Sequence, residues 1–187
     1  MRLIHTLPLG LAPLALGLAL TACGDSTTVA DASDPESVAD AAANLVRPQA
    51  GQYRQTGELV DFTIEGISPE ITAQIREGAA RGVTEAQTYC ITQEQADAGF
   101  EDMVREMNSR GDDSCQFSSF EASANTLNAT MTCGTQGQGQ MTMNLNGTIA
   151  ETTQDMTMTM DGASPMGSGA MHMVVRTHSE RIGDCPG

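Results

Sequence analysis

The residues of this chain best suited to metal chemistry are methionines spaced two apart. Three segments carry this Met-x-Met pattern, at residues 141–143, 156–160 and 171–173. In a β-strand alternate side chains point to the same face, so each segment would bring its sulfur atoms together. Thioether sulfur suits Cu(I). The pattern therefore allows a Cu(I) site formed by Met141, Met143, Met156, Met158 and Met160.

The same methionines also fit a purely structural role. Threonines alternate with them in residues 156–160, which is typical of a strand with one packed face and one solvated face. Methionine fills irregular cores, and this chain has no tryptophan, two tyrosines and four phenylalanines. We favour packing over copper and expect no cofactor. A methionine-lined cavity for a flexible apolar ligand is a third alternative.

Cys23 stands apart from the other four cysteines because an export signal precedes it. Arg2 is followed by the apolar run Leu7–Leu20, which two prolines interrupt and which is shorter than the ~20 residues of a membrane helix. Residues 1–22 therefore fit a secretory signal peptide. The junction Leu20-Thr21-Ala22-Cys23 resembles a bacterial lipobox, so we predict a lipoprotein signal peptide and lipidation of Cys23.

Lipidation would hold the protein in the cell envelope. Several acyl chains on one cysteine give stable attachment, so the membrane is a predicted partner through the lipid anchor. Gly24 follows the cysteine, and the sorting rule for such lipoproteins then implies the outer membrane, with the protein facing the periplasm.

Export to an oxidising compartment predicts two disulfides among the remaining cysteines. A hairpin with its turn midway between Cys115 and Cys133 pairs these two residues and pairs Phe120 with Asn128. The first disulfide is therefore predicted to join Cys115 to Cys133.

Cys90 and Cys185 then pair by elimination. The competing explanation for the four cysteines is a metal site. The sequence contains no Cys-x-x-Cys and no Cys/His spacing of the zinc type, so we favour disulfides.

Charge and motif content exclude several function classes. The formal net charge is −15, with 24 acidic residues, 9 arginines and no lysine, so no basic patch exists for nucleic acid. No G-x-S-x-G motif occurs, and a phosphate loop would need lysine. His172 and His178 alternate with Met171 and Met173, so they are predicted to face solvent. We predict no enzyme and no catalytic residues.

Residues 23–50 are rich in aspartate, alanine and serine and contain no aromatic residue. Such a segment buries too little apolar surface to offset its ordering entropy. We predict a flexible acidic linker that holds the protein roughly 30 Å from the membrane. A short helix from Pro35, capped by Asp34, is the open alternative.

Residues 51–187 are predicted to form a single disulfide-braced, β-rich domain. A strand over about 52–65 changes phase between Leu59 and Val60, with a bulge near Gly57.

Two helices and then a series of strands follow. The first helix begins at the cap Ser68 and ends at Gly78 or Gly82, and the second begins at the cap Thr92. Alternating segments fill residues 115–182. The predicted class is α+β, mainly antiparallel β: a curved sheet or partly open barrel of five or more strands, with two helices inserted after the first strand.

Several short motifs occur in a fixed order along this domain. They are Gly51-x-Tyr53, Tyr89-Cys90-Ile91-Thr92-x-Glu94, Cys115, Cys133 and Arg181-Ile182-Gly183-Asp184-Cys185. Together they resemble a family of small bacterial envelope proteins, exported or lipoproteins, catalogued as a domain of unknown function. Members often have tryptophan where Tyr53 stands. The resemblance covers about residues 48–186 and implies a shared fold, but no activity, ligand or catalytic residue.

From these features we predict a non-catalytic envelope protein that binds a small or lipophilic ligand, or a protein partner, through its curved sheet. The first alternative is a periplasmic Cu(I)-binding protein that uses the Met-x-Met strands. The second is a structural or stress-related envelope component.

Overall fold

The computed structural model describes residues 26–109, 115–135, 139–164 and 169–186. Its elements in chain order are β1 (Thr27–Thr28), α1 (Pro35–Ala42), β2 (Gly51–Ile64), α2 (Pro69–Thr84), β3 (Gln87–Ile91), α3 (Gln93–Ser109), β4 (Cys115–Ala122), β5 (Thr126–Thr135), β6 (Gly139–Ile149), β7 (Thr153–Ala163) and β8 (Ala170–Gly183). The strands form one antiparallel sheet in the order β1-β4-β5-β6-β7-β8-β2-β3. The predicted α+β class with a curved, open sheet is confirmed.

The placement of the helices is less simple than the sequence suggested. A five-residue strand, β3, lies between α2 and α3 and pairs with β2. A two-residue strand and a helix, β1 and α1, also precede the long strand β2, which is therefore not the first strand as predicted. None of the helices in the described ranges is long and apolar enough to cross a bilayer.

The segment before the long strand packs on the sheet, so the flexible linker expected over residues 23–50 is wrong from residue 26 onward. Asp34 caps α1, because its carboxylate accepts hydrogen bonds from the Glu36 N–H at 3.4 Å and the Ser37 hydroxyl at 2.6 Å. The Ser37 bond lowers the pKa of Asp34. Val38 and the alanines on the inner side of α1 are buried, whereas the acidic residues point outward. Helix α1 is therefore amphipathic, and the acidic composition of the segment gave no indication of its buried side.

Helix α2 continues past both glycines that were expected to end it. Its cap, Ser68, accepts a hydrogen bond from the Ile71 N–H, and Pro69 occupies the first turn. The apolar side of the helix extends to Val83, so packing against β2 continues where helix propensity is weak. A glycine lowers helix stability by about 1 kcal/mol but does not end a helix that is held by tertiary contacts.

Helix α3 consists of two helical pieces joined at Gly99, which the sequence did not predict. Gly99 has φ 67° and ψ −159°, a conformation that residues with a Cβ rarely adopt. Thr92 and Gln95 form the predicted capping box: the Gln95 N–H donates to the Thr92 hydroxyl, and the Thr92 N–H donates to the Gln95 side chain. The kink allows Ala96 and Val104, on the two pieces, both to be buried.

Two separate hydrophobic clusters lie on the face of the sheet that carries the helices. Cluster 1 contains the inner sides of α1 and α3 packed on β4 and β5, with Phe117 and Phe120 at its centre. Cluster 2 contains the inner side of α2 packed on β2 and β8, with Leu59 and Phe62 at its centre. Strands β6 and β7 lie between these two regions.

Candidate functional site

Methionines from four neighbouring strands lie side by side across the middle of the sheet. Met131 pairs with Met143, Met143 with Met160, and Met160 with Met173. Met173 in turn pairs with Phe62. Directly paired residues project from the same face of a sheet. These four methionines, the methionine row, therefore cross the helix-bearing face without interruption.

A second apolar row lies beside the methionine row, two residues away on each of the strands β5 to β8. Ala129 pairs with Leu145, Leu145 with Met158, Met158 with Val175, and Val175 with Leu59. The helix-bearing face is thus apolar along both rows from β5 to β2. The predicted inward orientation of the Met-x-Met segments is confirmed.

The centre of this face is less well covered than its two sides. Met141, Met158 and Met160, which we call the central strip, are partly buried and belong to neither cluster of buried residues in the described chain. Strands β6 and β8 are about 10 Å apart, and residues 158 and 162, the second of which pairs with Met141, are about 13 Å apart along β7. A patch of this size can accommodate an acyl chain or a small ring system.

The helix beside the central strip is only loosely packed. No residue of α2 is buried, although Ile75, Ala79 and Val83 contact cluster 2. A Cβ added at Gly78 or at Gly82 would meet no atom within 4 Å, so packing does not require either glycine. These features place α2 among the less stable parts of the fold.

The other side of the strip is bordered by a small apolar cavity beneath α1 and α3. It has a volume of about 60 Å³ and is lined by apolar side chains that include Leu45, Phe100, Val104 and Leu145. Because no polar group lines it, the cavity suits a hydrocarbon group rather than a polar ligand.

The structure brings together some of the proposed copper ligands and separates others. Met143 and Met160 are direct neighbours, and Met173, which was outside the proposed set, extends the pair to three. Met141 pairs with Gly162 and Met156 with Gly147, so each lies outside the row of paired methionines. Within the described ranges, no group of three or more His, Cys, Asp or Glu residues is arranged to hold a metal ion.

The opposite face of the sheet is polar. His172 lies opposite Asp161, with Nδ1 2.6 Å from Oδ1, and His178 lies opposite Asp155, with Nδ1 2.7 Å from Oδ1. Both histidines are on the face opposite Met171, as predicted. Each is partnered by a carboxylate on the neighbouring strand.

The sequence motifs at residues 51–53, 89–94 and 181–185 meet at one corner of the molecule, which we call the motif corner. The Tyr53 ring is buried, and its hydroxyl lies 2.8 Å from the Gln49 carbonyl and 3.0 Å from the Glu151 carbonyl. Its ring stacks on Tyr89. Arg181 Nε donates to the Ala50 carbonyl at 2.8 Å, and Arg181 also pairs with Asp184.

The close packing at the motif corner explains why residue 51 is a glycine. A Cβ on Gly51 would lie 2.4 Å from Arg181 Nε, so only glycine leaves room for this side chain. The disulfide Cys90–Cys185 joins β3 to the chain end nearby. The motif residues therefore form a structural brace between β2, β3 and the end of β8.

A cleft of about 550 Å³ lies beside this corner, between β3 and α3. Tyr89, Ile91, Glu94 and Phe100 are among its lining residues. Sequence reasoning missed this cleft because it depends on the strand β3 and on the kink at Gly99. The kink had one detectable signal, a glycine inside an otherwise helical pattern.

Both predicted disulfides are present. Cys115 is bonded to Cys133 and Cys90 to Cys185. One detail of the hairpin was wrong, since Phe120 pairs with Ala129 rather than with Asn128.

The reason for this shift is a bulge at Ser118. The register changes between Phe117 and Ser119, and the Ser118 hydroxyl donates to the Thr130 carbonyl at 3.3 Å. The extra residue places Phe117 and Phe120 on the same face, where their rings meet edge to face at 5.4 Å. The sequence contained one signal of this bulge: Phe117 and Phe120 are three residues apart, whereas residues on one face of a regular strand are an even number apart.

Cys23, the predicted lipidation site, lies outside the described residues.

Comparison with known protein families gives a match. The family model described as "Protein of unknown function (DUF3617)" matches residues 48–185. The chain belongs to this family, and the resemblance recognised from its motifs is confirmed. The comparisons with curated proteins and with solved structures gave no match.

Proposed function

We propose that this member of the DUF3617 family is a lipid-anchored, non-catalytic envelope protein that binds a lipophilic molecule on the central strip. One observation carries the proposal: an apolar face crosses the sheet, yet its middle is only partly covered. Methionine side chains are flexible and polarisable, so they adapt to apolar ligands of different shapes.

The surroundings of the strip support an apolar occupant. The cavity beneath α1 and α3 has an entirely apolar lining and lies on one side, while the loosely packed α2 lies on the other. No residue of α2 is buried, so a small movement of this helix would widen the strip towards Leu59 and Phe62. The ligand class is therefore a molecule with a long or flat hydrocarbon part.

The binding test uses N-phenyl-1-naphthylamine, an apolar dye whose emission rises in apolar surroundings. We expect saturable binding to the wild type and about tenfold weaker binding to Met158→Gln, because the substitution places an amide on the strip. Thr157→Gln is the matched control, since Thr157 is next to Met158 but points to the other face.

The control variant is expected to bind the dye as the wild type does. No saturable binding to the wild type, or equal weakening by the two substitutions, contradicts the proposal. Thermal unfolding of all three proteins establishes that each is folded.

Attachment to the membrane is tested separately. Mass analysis of the mature N-terminus is expected to find Cys23 carrying acyl chains, with residues 1–22 removed. Cys23→Ala is expected to abolish incorporation of labelled palmitate. An unmodified Cys23 in the wild type contradicts the lipoprotein assignment and, with it, the attachment to the outer membrane.

Cu(I) binding is the second candidate because Met143, Met160 and Met173 are paired across three neighbouring strands. Three thioethers in one row can provide three soft ligands for one ion. Competition with a coloured Cu(I) chelator, in the presence of ascorbate, measures the affinity.

For a copper site we expect Met160→Leu to lower the Cu(I) affinity at least about tenfold, since it removes one of the soft ligands. The same variant keeps an apolar side chain and should leave dye binding unchanged. Met156→Leu is the matched control because Met156 pairs with Gly147, outside the row. Equal Cu(I) affinity of all three proteins contradicts a copper site.

A further inference from the structure

The chain joins the sheet very close to the proposed lipidation site. Thr27 pairs with Ala122, and the Val29 N–H donates to the Phe120 carbonyl at 3.0 Å. Asn44 Nδ2 also donates to the Thr27 hydroxyl at 3.4 Å. Thr27 is therefore a fixed point on the folded body.

Few residues separate this fixed point from the lipid. Positions 23 and 27 are four residues apart. Four residues span at most about 14 Å even when fully extended. The roughly 30 Å expected from a 27-residue flexible linker (residues 24–50) does not apply, because residues 27–50 belong to the folded body.

The direction of β1 identifies the end of the sheet at which the lipid attaches. Because β1 is antiparallel to β4, the chain before Thr27 leads past Ala122 towards the turn at residues 123–125. The turn at residues 150–152 lies at the same end, and residues 46–49 cross between the two turns. We call these three segments the anchor end.

Hydrogen bonds join the three segments into one surface. The Val46 N–H donates to the Ala124 carbonyl at 2.7 Å, and the Gln49 N–H donates to the Glu151 carbonyl at 2.7 Å. The Ile149 N–H donates to the Asn125 carbonyl at 2.9 Å.

The charge of the anchor end suits contact with lipid headgroups. The three segments contain one carboxylate, Glu151, and one arginine, Arg47, so their net charge is +1 − 1 = 0, whereas that of the whole chain is −15. The Glu151 carboxylate accepts a hydrogen bond from Gln49 Nε2 at 3.0 Å. Repulsion from an anionic membrane is therefore weaker for these three segments than for the chain as a whole.

We infer that the anchor end rests on the membrane surface, so that the sheet stands on the bilayer with its strands directed away from it. This inference rests on the proposed lipidation of Cys23. The ten residues of β5 then place the opposite end of the sheet about 30 Å further from the membrane.

The absence of tryptophan from the sequence allows a clean test. Ala124→Trp puts a single fluorophore at an exposed position of the anchor end, and Gln140→Trp puts one at an exposed position of the opposite end. Each full-length lipidated protein is reconstituted in phosphatidylethanolamine/phosphatidylglycerol vesicles containing lipid brominated near the carboxyl end of its acyl chains. Bromine quenches tryptophan only at short range.

We expect quenching several-fold stronger at position 124 than at position 140. A third protein carries Ala124→Trp and an insert of about 20 Gly/Ser residues between Asp25 and Ser26, which adds an r.m.s. length of about 25 Å. Lengthening is expected to remove most of the quenching at position 124.

The possible outcomes separate the inference from the proposed function. Equal quenching at both positions, or quenching that the insert leaves unchanged, overturns the inference when mass analysis finds Cys23 acylated, and the lipoprotein assignment is then unaffected. An unmodified Cys23 overturns both. Strong, insert-sensitive quenching at position 124 alone supports the inference.

Discussion

The ring of Tyr53 stacks on the ring of Tyr89, with the centroids 5.6 Å apart and the planes 17° apart. Tyr53 is fully buried, and its hydroxyl lies within hydrogen-bond distance of the Gln49 and Glu151 carbonyls. The pair joins β2 to β3 and, through Glu151, to the turn between β6 and β7. The Tyr53 hydroxyl thus links these strands and this turn at the motif corner.

Tyr53→Phe is expected to lower the free energy of unfolding by about 1 kcal/mol, because it removes the hydrogen bonding of a buried tyrosine hydroxyl to the Gln49 and Glu151 carbonyls. Urea unfolding measures the change. Tyr89→Phe keeps the ring stack and is the control, with an expected change of less than about 0.5 kcal/mol. Equal effects of the two substitutions would show that the Tyr53 hydroxyl has no special role.

Stability is also expected to fall at alkaline pH. Burial, with a smaller contribution from the nearby Tyr89, raises the pKa of Tyr53 above the usual value of 10.0. The folded state then holds its proton more tightly than the unfolded state does, so this contribution is intact below pH 10 and is lost as pH rises above it. Urea unfolding between pH 9 and 11, with Tyr53→Phe as the comparison, measures it. An identical pH dependence in the two proteins would contradict this assignment.

Gly78→Ala and Gly82→Ala are each expected to stabilise the protein by up to about 1 kcal/mol. Alanine is the better helix former, and a Cβ at either position meets open space. Thermal and urea unfolding of the single and double variants measure the gain. If neither variant is stabilised, α2 is not helical in solution at these positions.

Gly57→Ala is expected to have the opposite effect and to destabilise by about 1–3 kcal/mol. A Cβ on Gly57 would lie 2.6 Å from the Val83 carbonyl oxygen and 2.8 Å from Val83 Cγ1, so the end of α2 must move away from β2. Amide hydrogen exchange is expected to be faster in α2 and unchanged in α1. A neutral Gly57→Ala would mean that α2 does not pack here.

The two disulfides are expected to contribute unequally. In the chain-entropy model, closing 18 residues between Cys115 and Cys133 is worth about 3 kcal/mol, and closing 95 residues between Cys90 and Cys185 about 4.7 kcal/mol. Double Cys→Ser variants of each pair, compared by urea unfolding, measure the two contributions. A greater loss from the shorter loop would show that strain or residual structure outweighs loop length.

The sequence was most informative where alternation and cysteine pairing agreed. Cys115 and Cys133 determine a hairpin register that holds at both cysteines and fails at Phe120, since the extra residue at Ser118 cannot be counted from alternation alone. Likewise, the phase change between Leu59 and Val60 marked a real register shift, which lies between Leu59 and Asp61 and not near Gly57.

The direct pairing of the methionines across the strands could not be predicted from the sequence. Alternation predicted that the methionines within each Met-x-Met segment share a face. The direct pairing of Met143, Met160 and Met173 depends on the register of three strands, and register depends on turn geometry that composition does not reveal. The error at residues 26–50 has a different cause. Four buried positions of α1 are valine and alanines, small residues that give a weak signal for burial.

The pairing of β2 with β8 has a consequence for how the protein matures. Strands β5 to β8 each pair with the strand made just before them, but β2 must wait for β8, the last strand, to complete its second pairing. Synthesis proceeds from the N-terminus, so the thiol of Cys90 meets that of Cys115 long before Cys185 exists. Cys90 can then bond prematurely to Cys115 or to Cys133, and correcting such a bond requires thiol exchange. A cell short of disulfide isomerase should therefore accumulate these mispaired forms.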